Sequence, residues 1–509
     1  MEAGLSVVPT NCEIYKTTQQ VREWRAAEPD WHATRRKIDR EFPYSRYGGG
    51  CPIVPNNAII TLALLYAGNS FRRALLISTS AGFDTDCNVS AVGCFMAIKN
   101  GLDSINAEAD FRGPVEDRLF LSTVDGGRAI TDALTETYRI VNIGRSLHGE
   151  EPLAPKKGAR FHFSLPGSVQ GFRIEPGHEH RALLTNRNKR LEIRLQPAET
   201  DTPVRMSTAT FTRPEDIASM KGPKLEPNSS AGWVYNLLAS PTLYPGQIVT
   251  AHVLAPHDNT DAVECKLFIR CYGENDTLFK VDGPQIPLAP GAGHTFTWKI
   301  PDIKDAPVAE TGLELTAHNS NTQALMLDYL SWSNTPEVTF THPPYSATMW
   351  MHAWVNAVDL WRTSRRGCFW IFKDFGRGMI IQGTREWRNY AVSSTVTTDC
   401  AKSFGVAAYV QGMFRYYALL LCDDRKLRLI KMLERETVLA ETDSDWDIHH
   451  ANELSLSISN GNLRGSINGS EIIAAVDTVH PLDSGGIALV VEEGHLLTDA
   501  VTVMPEANR

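Results

Sequence analysis

The sequence predicts a multidomain chain, with an all-α region first and two all-β regions of sandwich type after it. Three observations carry that reading. The chain is 509 residues long, and a prior of roughly 150 residues per domain implies about three domains. Twenty of the 28 prolines lie between Pro152 and Pro344, so the composition changes near residue 150. The apolar period changes at the same place, from 3.6 residues before it to 2 after it. The boundaries that follow are 1–150 for the helical region, 158–342 for a β-sandwich accessory region and 345–509 for a second all-β domain. The His342-Pro343-Pro344 link suggests that residues from Pro344 onward form an autonomous domain.

In the helical region, Pro55-Asn56-Asn57 opens the apolar run Ile59, Ile60, Leu62, Ala63, Leu64, Leu65, which Gly68 closes. This predicts a short buried helix with an Asn cap and a Gly stop. A second helix is predicted over about Asn88 to Asn100, with Val89, Val92, Gly93 and Met96 at i, i+3, i+4, i+7 and Gly101 as its stop. Cys87 and Cys94 are seven residues apart and are expected on one helical face as small core residues. A third helix begins near Thr131-Asp132, a capping pair, with Leu134, Tyr138 and Val141 on one face.

Beyond residue 158 the strands announce themselves by alternation. Val263, Cys265, Leu267, Ile269 and Cys271 alternate with polar or exposed positions, as do Phe296, Trp298 and Ile300, and Ala289-Pro290-Gly291-Ala292-Gly293 is a turn between strands. In the last region Val406, Ala408 and Val410 alternate, then Leu454, Leu456 and Ile458, then Ile487, Leu489 and Val491. Ile467-Asn468-Gly469-Ser470 predicts a two-residue hairpin, because Asn-Gly tolerates the positive φ angles of a type I′ turn. Trp350, Trp354, Trp361 and Trp387 could line a sugar platform, but core positions are favoured for most of them.

Composition excludes several functions. A net charge of −9 leaves no basic excess to displace phosphate counterions, which argues against nucleic acid as partner. The longest apolar stretch, Ala58 to Ala67, falls far short of the ~20 residues that span a bilayer, so no membrane partner is expected. Residues Met1 to Thr10 lack the basic start and apolar block of a secretory signal. The nine cysteines show no CxxC pairs or Cys/His clusters. The expectation is a cytoplasmic protein with reduced thiols.

The chemistry is concentrated in Ser80-Ala81-Gly82-Phe83-Asp84-Thr85-Asp86-Cys87-Asn88. Two carboxylates two residues apart in a Gly-entered turn can aim their oxygens at one point, which suits a hard cation such as Mg²⁺. Capping of the following helix is the commoner role for an isolated Asp-Thr-Asp. The ordered combination with Val54-Pro55-Asn56-Asn57-Ala58, Leu62-Ala63-Leu64-Leu65-Tyr66 and Ala91-Val92-Gly93 alters that balance, because this block resembles the C-terminal half of the ADP-ribosylglycohydrolase family. Glu2-Ala3-Gly4-Leu5-Ser6 resembles a further segment of the same domain.

The resemblance covers about residues 1–150. It implies an all-α fold with a two-metal magnesium centre that hydrolyses bonds to the anomeric carbon of ADP-ribose or related ribosyl groups. It assigns Asp84 and Asp86 to the metal, with Cys87 adjacent where many relatives carry a Thr or Ser oxygen, and it sets Gly82, Phe83 and Asn88 beside the substrate. A cysteine is a departure there, because sulfur is a soft ligand. The family's N-terminal Thr/Ser-Asp-Asp cluster and its water-activating acid have no counterpart. The only Asp-Asp pair, Asp423-Asp424, reads as a hairpin turn. At most a half-site is therefore expected, with a partner chain as one way to complete it, and no catalytic residue is assigned.

The last region resembles a concanavalin A-like or laminin-G-like jelly roll, through Gly378-Met379-Ile380-Ile381-Gln382-Gly383, Tyr390-Ala391-Val392, the run from Gly405 to Gly412 and Gly465-Ser466-Ile467-Asn468-Gly469. The resemblances together imply a Mg-dependent glycosyl hydrolase with an ADP-ribose-like or carbohydrate ligand. Two alternatives stay open: a non-catalytic carbohydrate-binding protein carrying a relic hydrolase domain, and a hydrolase of a plain furanoside or glycoside.

Overall fold

The computed structural model describes residues 1–506 except 122, 124, 197–201, 221–236, 305, 318–322 and 364–366. The chain divides into two compact units, Met1–Val115 and Glu116–Arg509. The first is helical and the second is dominated by antiparallel sheets, so the predicted fold class is the observed one. Among the described residues no helix is long and apolar enough to cross a membrane.

The helical unit is built around α3 (Ile53–Tyr66), which packs against α1 (Glu13–Ala27), α2 (Trp31–Glu41), α4 (Phe71–Ala81) and α5 (Thr85–Asn100). Its apolar residues encircle it, as a helix buried on every side requires. Ala58, Ile59, Leu62 and Ala63 are fully covered, and Val21, Ile38, Ala74 and Val92 close over them from the four neighbours. Asn56 is not a cap. The helix starts earlier, after Pro52, because a proline such as Pro55 is tolerated in a first turn whose N–H groups have no partner anyway. The second predicted helix also starts earlier, at Thr85, and ends as expected at Gly101 with φ 83°. Cys87 and Cys94 are exposed. Val92 and Met96 define the core face of α5, and the cysteines project from its other side.

The helix expected from Thr131 is α6 (Ala133–Leu147), and Asp132 caps it by accepting from the Thr135 N–H at 2.8 Å. It belongs to the second unit. The Gln170 amide donates to Asp132, and Tyr138 shares a hydrogen bond with Ser164, so the helix is held by the β-region. Leu134 is buried as predicted, whereas Val141 is exposed.

The described strands between Arg173 and Ser333 form two five-stranded sheets around one apolar core. Strand Val263–Tyr272 lies in one and strands Ile248–Leu254 and Gln323–Ser333 in the other. The predicted series Val263, Cys265, Leu267, Ile269, Cys271 faces that core with no exposed surface. Elsewhere on the same sheet, Glu314 sits among Lys280 (2.6 Å), Lys266 (3.1 Å) and Arg205. Burial disfavours its charge, but the three cations outweigh that and hold the carboxyl down at about 2. A folded-state value below the unfolded one stabilises the protein above pH about 4.5 and is lost as pH falls toward 2. Solvent screening reduces the expected loss to about 1–2 kcal/mol. Urea melts at pH 6 and pH 2.5 should show that loss in the parent and a smaller one in Glu314→Gln.

The last region is all-β and antiparallel. Its 13-stranded antiparallel sheet centres on the long strand Gly486–Pro505, which pairs with Phe369–Gln382, Tyr390–Thr397 and Ser403–Val410. Every residue of Ser403–Val410 is buried, with Phe404, Val406 and Ala408 in one core and Ala407 and Val410 in another. The predicted series puts Val406, Ala408 and Val410 on one face, but a register shift between Ala407 and Val410 turns Val410 to the other core. Asn468 (φ 51°) and Gly469 (φ 79°) form the predicted hairpin turn between strands Asn462–Ile467 and Ser470–Val476. Trp350, Trp354 and Trp387 are buried in the core and Trp361 packs against it, so they form no platform.

The sequence places a boundary at Pro344, and strand pairing crosses it. Strand Val338–Thr341 lies before it yet pairs with Ala500–Val503, and Phe340 and Tyr244 belong to the core of the last region.

Candidate functional site

The turn between α4 and α5 is held by one buried amide. The Asn56 side-chain oxygen accepts from the Tyr44 hydroxyl (2.7 Å), the Asn88 amide (3.2 Å) and the Asp84 backbone N–H (3.4 Å). Asn56 thus ties the start of α5 to the core helix α3, a role very different from the cap expected of it. Gly82 leaves α4 at φ 77°, ψ −152°, a conformation open essentially to glycine alone. Phe83 follows at φ 61°, an unusual value for a side chain of that size. It is held there by the Tyr44 ring stacked on it at 4.3 Å and the Arg35 guanidinium 4.2 Å from its centroid.

Asp84 occupies the N-cap position of α5, yet its side chain makes no capping hydrogen bond. Ligand atoms of Asp84, Asp86 and Cys87 all lie within 4.8 Å of one another, and Asp86 and Cys87 are exposed. Asn88 is buried and its amide is committed to Asn56, so it shapes the turn from beneath.

Burial works against ionisation of Asp84, but hydrogen bonding with Cys87, Asp86 and Cys51 outweighs it and holds the carboxyl below the usual carboxylate range. The two thiols are pushed up in return, chiefly because each donates its proton to Asp84. Cys51 has no motif that could reveal it in sequence. It follows the Gly48-Gly49-Gly50 run and reaches Asp84 only through the packing of α3.

The donor set suits a hard divalent cation from one side. Two carboxylates could ligate it, and an octahedral ion would take its remaining oxygens from water or a ligand. Cys87, with its proton held toward Asp84, does not suit such an ion. Among the described residues this is the one such cluster of acidic, Cys and His groups. Asp423-Asp424 lies in the turn between strands Arg415–Cys422 and Lys426–Leu433, as the sequence predicts.

No curated relative matches the chain. Among solved structures, the carbohydrate binding module CBM66 from Bacillus subtilis aligns at 15% identity, covering 30% of this chain and 94% of its own, with a TM-score of 0.27. The Caenorhabditis elegans galectin LEC-6 aligns at 13% identity, covering 28% and 99%, with a TM-score of 0.21. A β-glucanase from Bacillus licheniformis aligns at 8% identity, covering 29% and 82%, with a TM-score of 0.23. All three are too distant to say what this chain binds. The N-terminal part, which carries the carboxylate turn, does match a family: residues 1–140 match the family described as ADP-ribosylglycohydrolase.

Proposed function

We propose that the chain is a hydrolase of the ADP-ribosylglycohydrolase type, acting on a glycosidic bond to an ADP-ribosyl or related ribosyl-like group. One observation carries this reading: Asp84 and Asp86 converge in a segment matching that family. Asp84 and Asp86 would hold Mg²⁺, with Cys87 beside it and Gly82, Phe83 and Asn88 fixing the turn. Bound there, Mg²⁺ would polarise the departing sugar and help orient water. The chain itself keeps the two carboxylates at a fixed separation through Asn56 and the Tyr44–Phe83–Arg35 stack.

The described residues supply one wall of such a centre. A second wall would seat on the face of α5 that carries the site. Cys87, Ala91, Cys94 and Ile98 follow one another there at i, i+4, i+7 and i+11. Ile98 is 78% exposed and neighbouring Phe95 56%, unusual for side chains of that size. A partner chain or a further segment would cover them. The exposed thiols of Cys51, Cys87, Cys94 and Cys400 are compatible with a reducing cytoplasm.

Without that second wall, hydrolysis by the chain should be slow, because general acid–base assistance alone is typically worth about 10²–10⁴-fold. Calorimetry should detect weak Mg²⁺ or Mn²⁺ binding that tightens when ADP-ribose is present, since a ligand phosphate adds oxygens. Cys87→Thr should strengthen metal binding several-fold, as a hard hydroxyl replaces a protonated thiol. No metal heat with either protein, together with tight binding of neutral oligosaccharide, would favour the carbohydrate-binding alternative.

A further inference from the structure

The second unit holds an open cavity of about 930 Å³, separate from the carboxylate turn and within the range of about 300–1,000 Å³ typical of small-molecule sites. Helix α6, the segment 152–162, Ser331-Trp332 and Arg385-Glu386 line it. Its walls are rich in guanidinium groups, from Arg128, Arg139, Arg160 and Arg385.

Their counter-charges do not balance. Arg128 and Arg139 share a single carboxylate, Glu136. Arg160 pairs with Glu386 at 2.9 Å, and Arg385 pairs with the buried Asp125. Nearby Lys156 is matched by Asp328 at 2.8 Å and adds no excess. Among the described residues four guanidinium groups thus face three carboxylates, Glu136, Glu386 and Asp125, which leaves one positive charge over.

Two buried polar atoms in the wall also lack partners among the described residues. His162 is 5% exposed, and its Nδ1 has no hydrogen bond. Burial, with the Lys156 charge second, pushes this imidazole down to about 4, so it is neutral near pH 7. The Arg128 Nε is likewise unsatisfied. Both atoms lie beneath the cavity surface, so they shape its wall without reaching a ligand.

The remaining chemistry narrows the ligand. Glu386 stands half-exposed at the cavity among the arginines. It would repel a bare anion but accepts hydrogen bonds from hydroxyl groups. Arg160 lies over the Trp332 ring at 4.3 Å, which holds its planar fork of donors in place. Fixed donors beside a carboxylate acceptor match vicinal hydroxyls, and the surplus guanidinium matches one negative group.

We propose that this cavity binds a sugar bearing a phosphate or carboxylate group, with the anion at Arg128 and Arg139 and the hydroxyls at Glu386 and Arg160. Calorimetry on the intact chain tests it, with glucose 6-phosphate, glucuronate, glucose and inorganic phosphate as probes. At least one charged sugar should bind, about tenfold or more tighter than either glucose or inorganic phosphate. Which charged sugar binds decides between phosphate and carboxylate as the anion. Arg139→Gln should weaken that binding at least about tenfold with no change in melting temperature, since Arg128 still pairs with Glu136, and Arg139→Lys should keep most of the affinity. Glu386→Gln should narrow the gap between the charged sugar and inorganic phosphate. The proposal is overturned if neither charged sugar binds at millimolar concentration, if binding is indifferent to Arg139→Gln, or if inorganic phosphate binds as tightly as the sugar phosphate.

Discussion

Asp84→Asn and Asp86→Asn are each expected to remove detectable Mg²⁺ or Mn²⁺ binding while leaving the metal-free protein as stable as the parent, or slightly more so. Changes to groups that merely support metal ligands commonly cost 10–100-fold in affinity, so losing one of two carboxylate ligands should cost on the order of 100-fold or more. The stability half of the expectation follows from the geometry. The two carboxylates lie within 4.8 Å of each other, so their mutual repulsion opposes the hydrogen bonds that hold Asp84 ionised, and removing one exposed charge changes stability little. Asparagine serves at an N-cap about as well as aspartate, and the Asp84 side chain makes no capping bond that could be lost. Thermal melts and metal titrations on the same samples read both effects. Loss of several kcal/mol of metal-free stability in both variants, with no metal bound by the parent, would make these carboxylates structural and overturn the proposed function.

Cutting the chain at Pro344 should have an effect of comparable size. Residues 344–509 lack Val338–Thr341, which pairs with the last strand, and they lack Phe340 and Tyr244. Tyr244 meets Trp387 at 4.9 Å and Phe340 meets Trp354 at 5.5 Å, all four rings being buried. Removing a buried aromatic side chain costs about 3–5 kcal/mol, and two of them approach the whole net stability of about 5–15 kcal/mol expected of a domain. The cut also bares an edge of the 20-residue strand Gly486–Pro505, and an exposed edge is a template for aggregation. A chain from residue 116 should therefore melt cooperatively as a β protein, while one from Pro344 should be insoluble or melt without cooperativity. Equal melting temperatures for the two would show that the last region needs neither the strand nor the rings.

The parts of this protein that were legible in its sequence are those encoded within a few residues of themselves. The Asn468-Gly469 hairpin, the stop at Gly101 and the cap at Asp132 each depend on local backbone preferences and one short hydrogen bond. The alternation of Val263 to Cys271 foretold a buried sheet face because side-chain direction repeats every two residues. The Asp84–Asp86 pair belongs to this class, since two residues in one turn stay close whatever the rest of the chain does.

What joins distant segments was decided by the tertiary structure. Asn56 reads in sequence as a cap, but packing puts it beneath Tyr44, Asp84 and Asn88, where its oxygen gathers three donors. The same packing carries Cys51 to Asp84. Helix α6 was visible from its cap and its apolar spacing, yet only its bonds to Gln170 and Ser164 assign it to the β-region. The cavity with its surplus guanidinium was equally hidden, because Arg128, Arg139, Arg160 and Arg385 become neighbours only when a helix, a loop and two β-regions meet. Sequence alone determined the carboxylate turn and the succession of helical and β-regions, through torsional preference and periodicity. The surroundings that tune that turn, and the second site, come from contacts between residues far apart in the chain, which local preference does not encode.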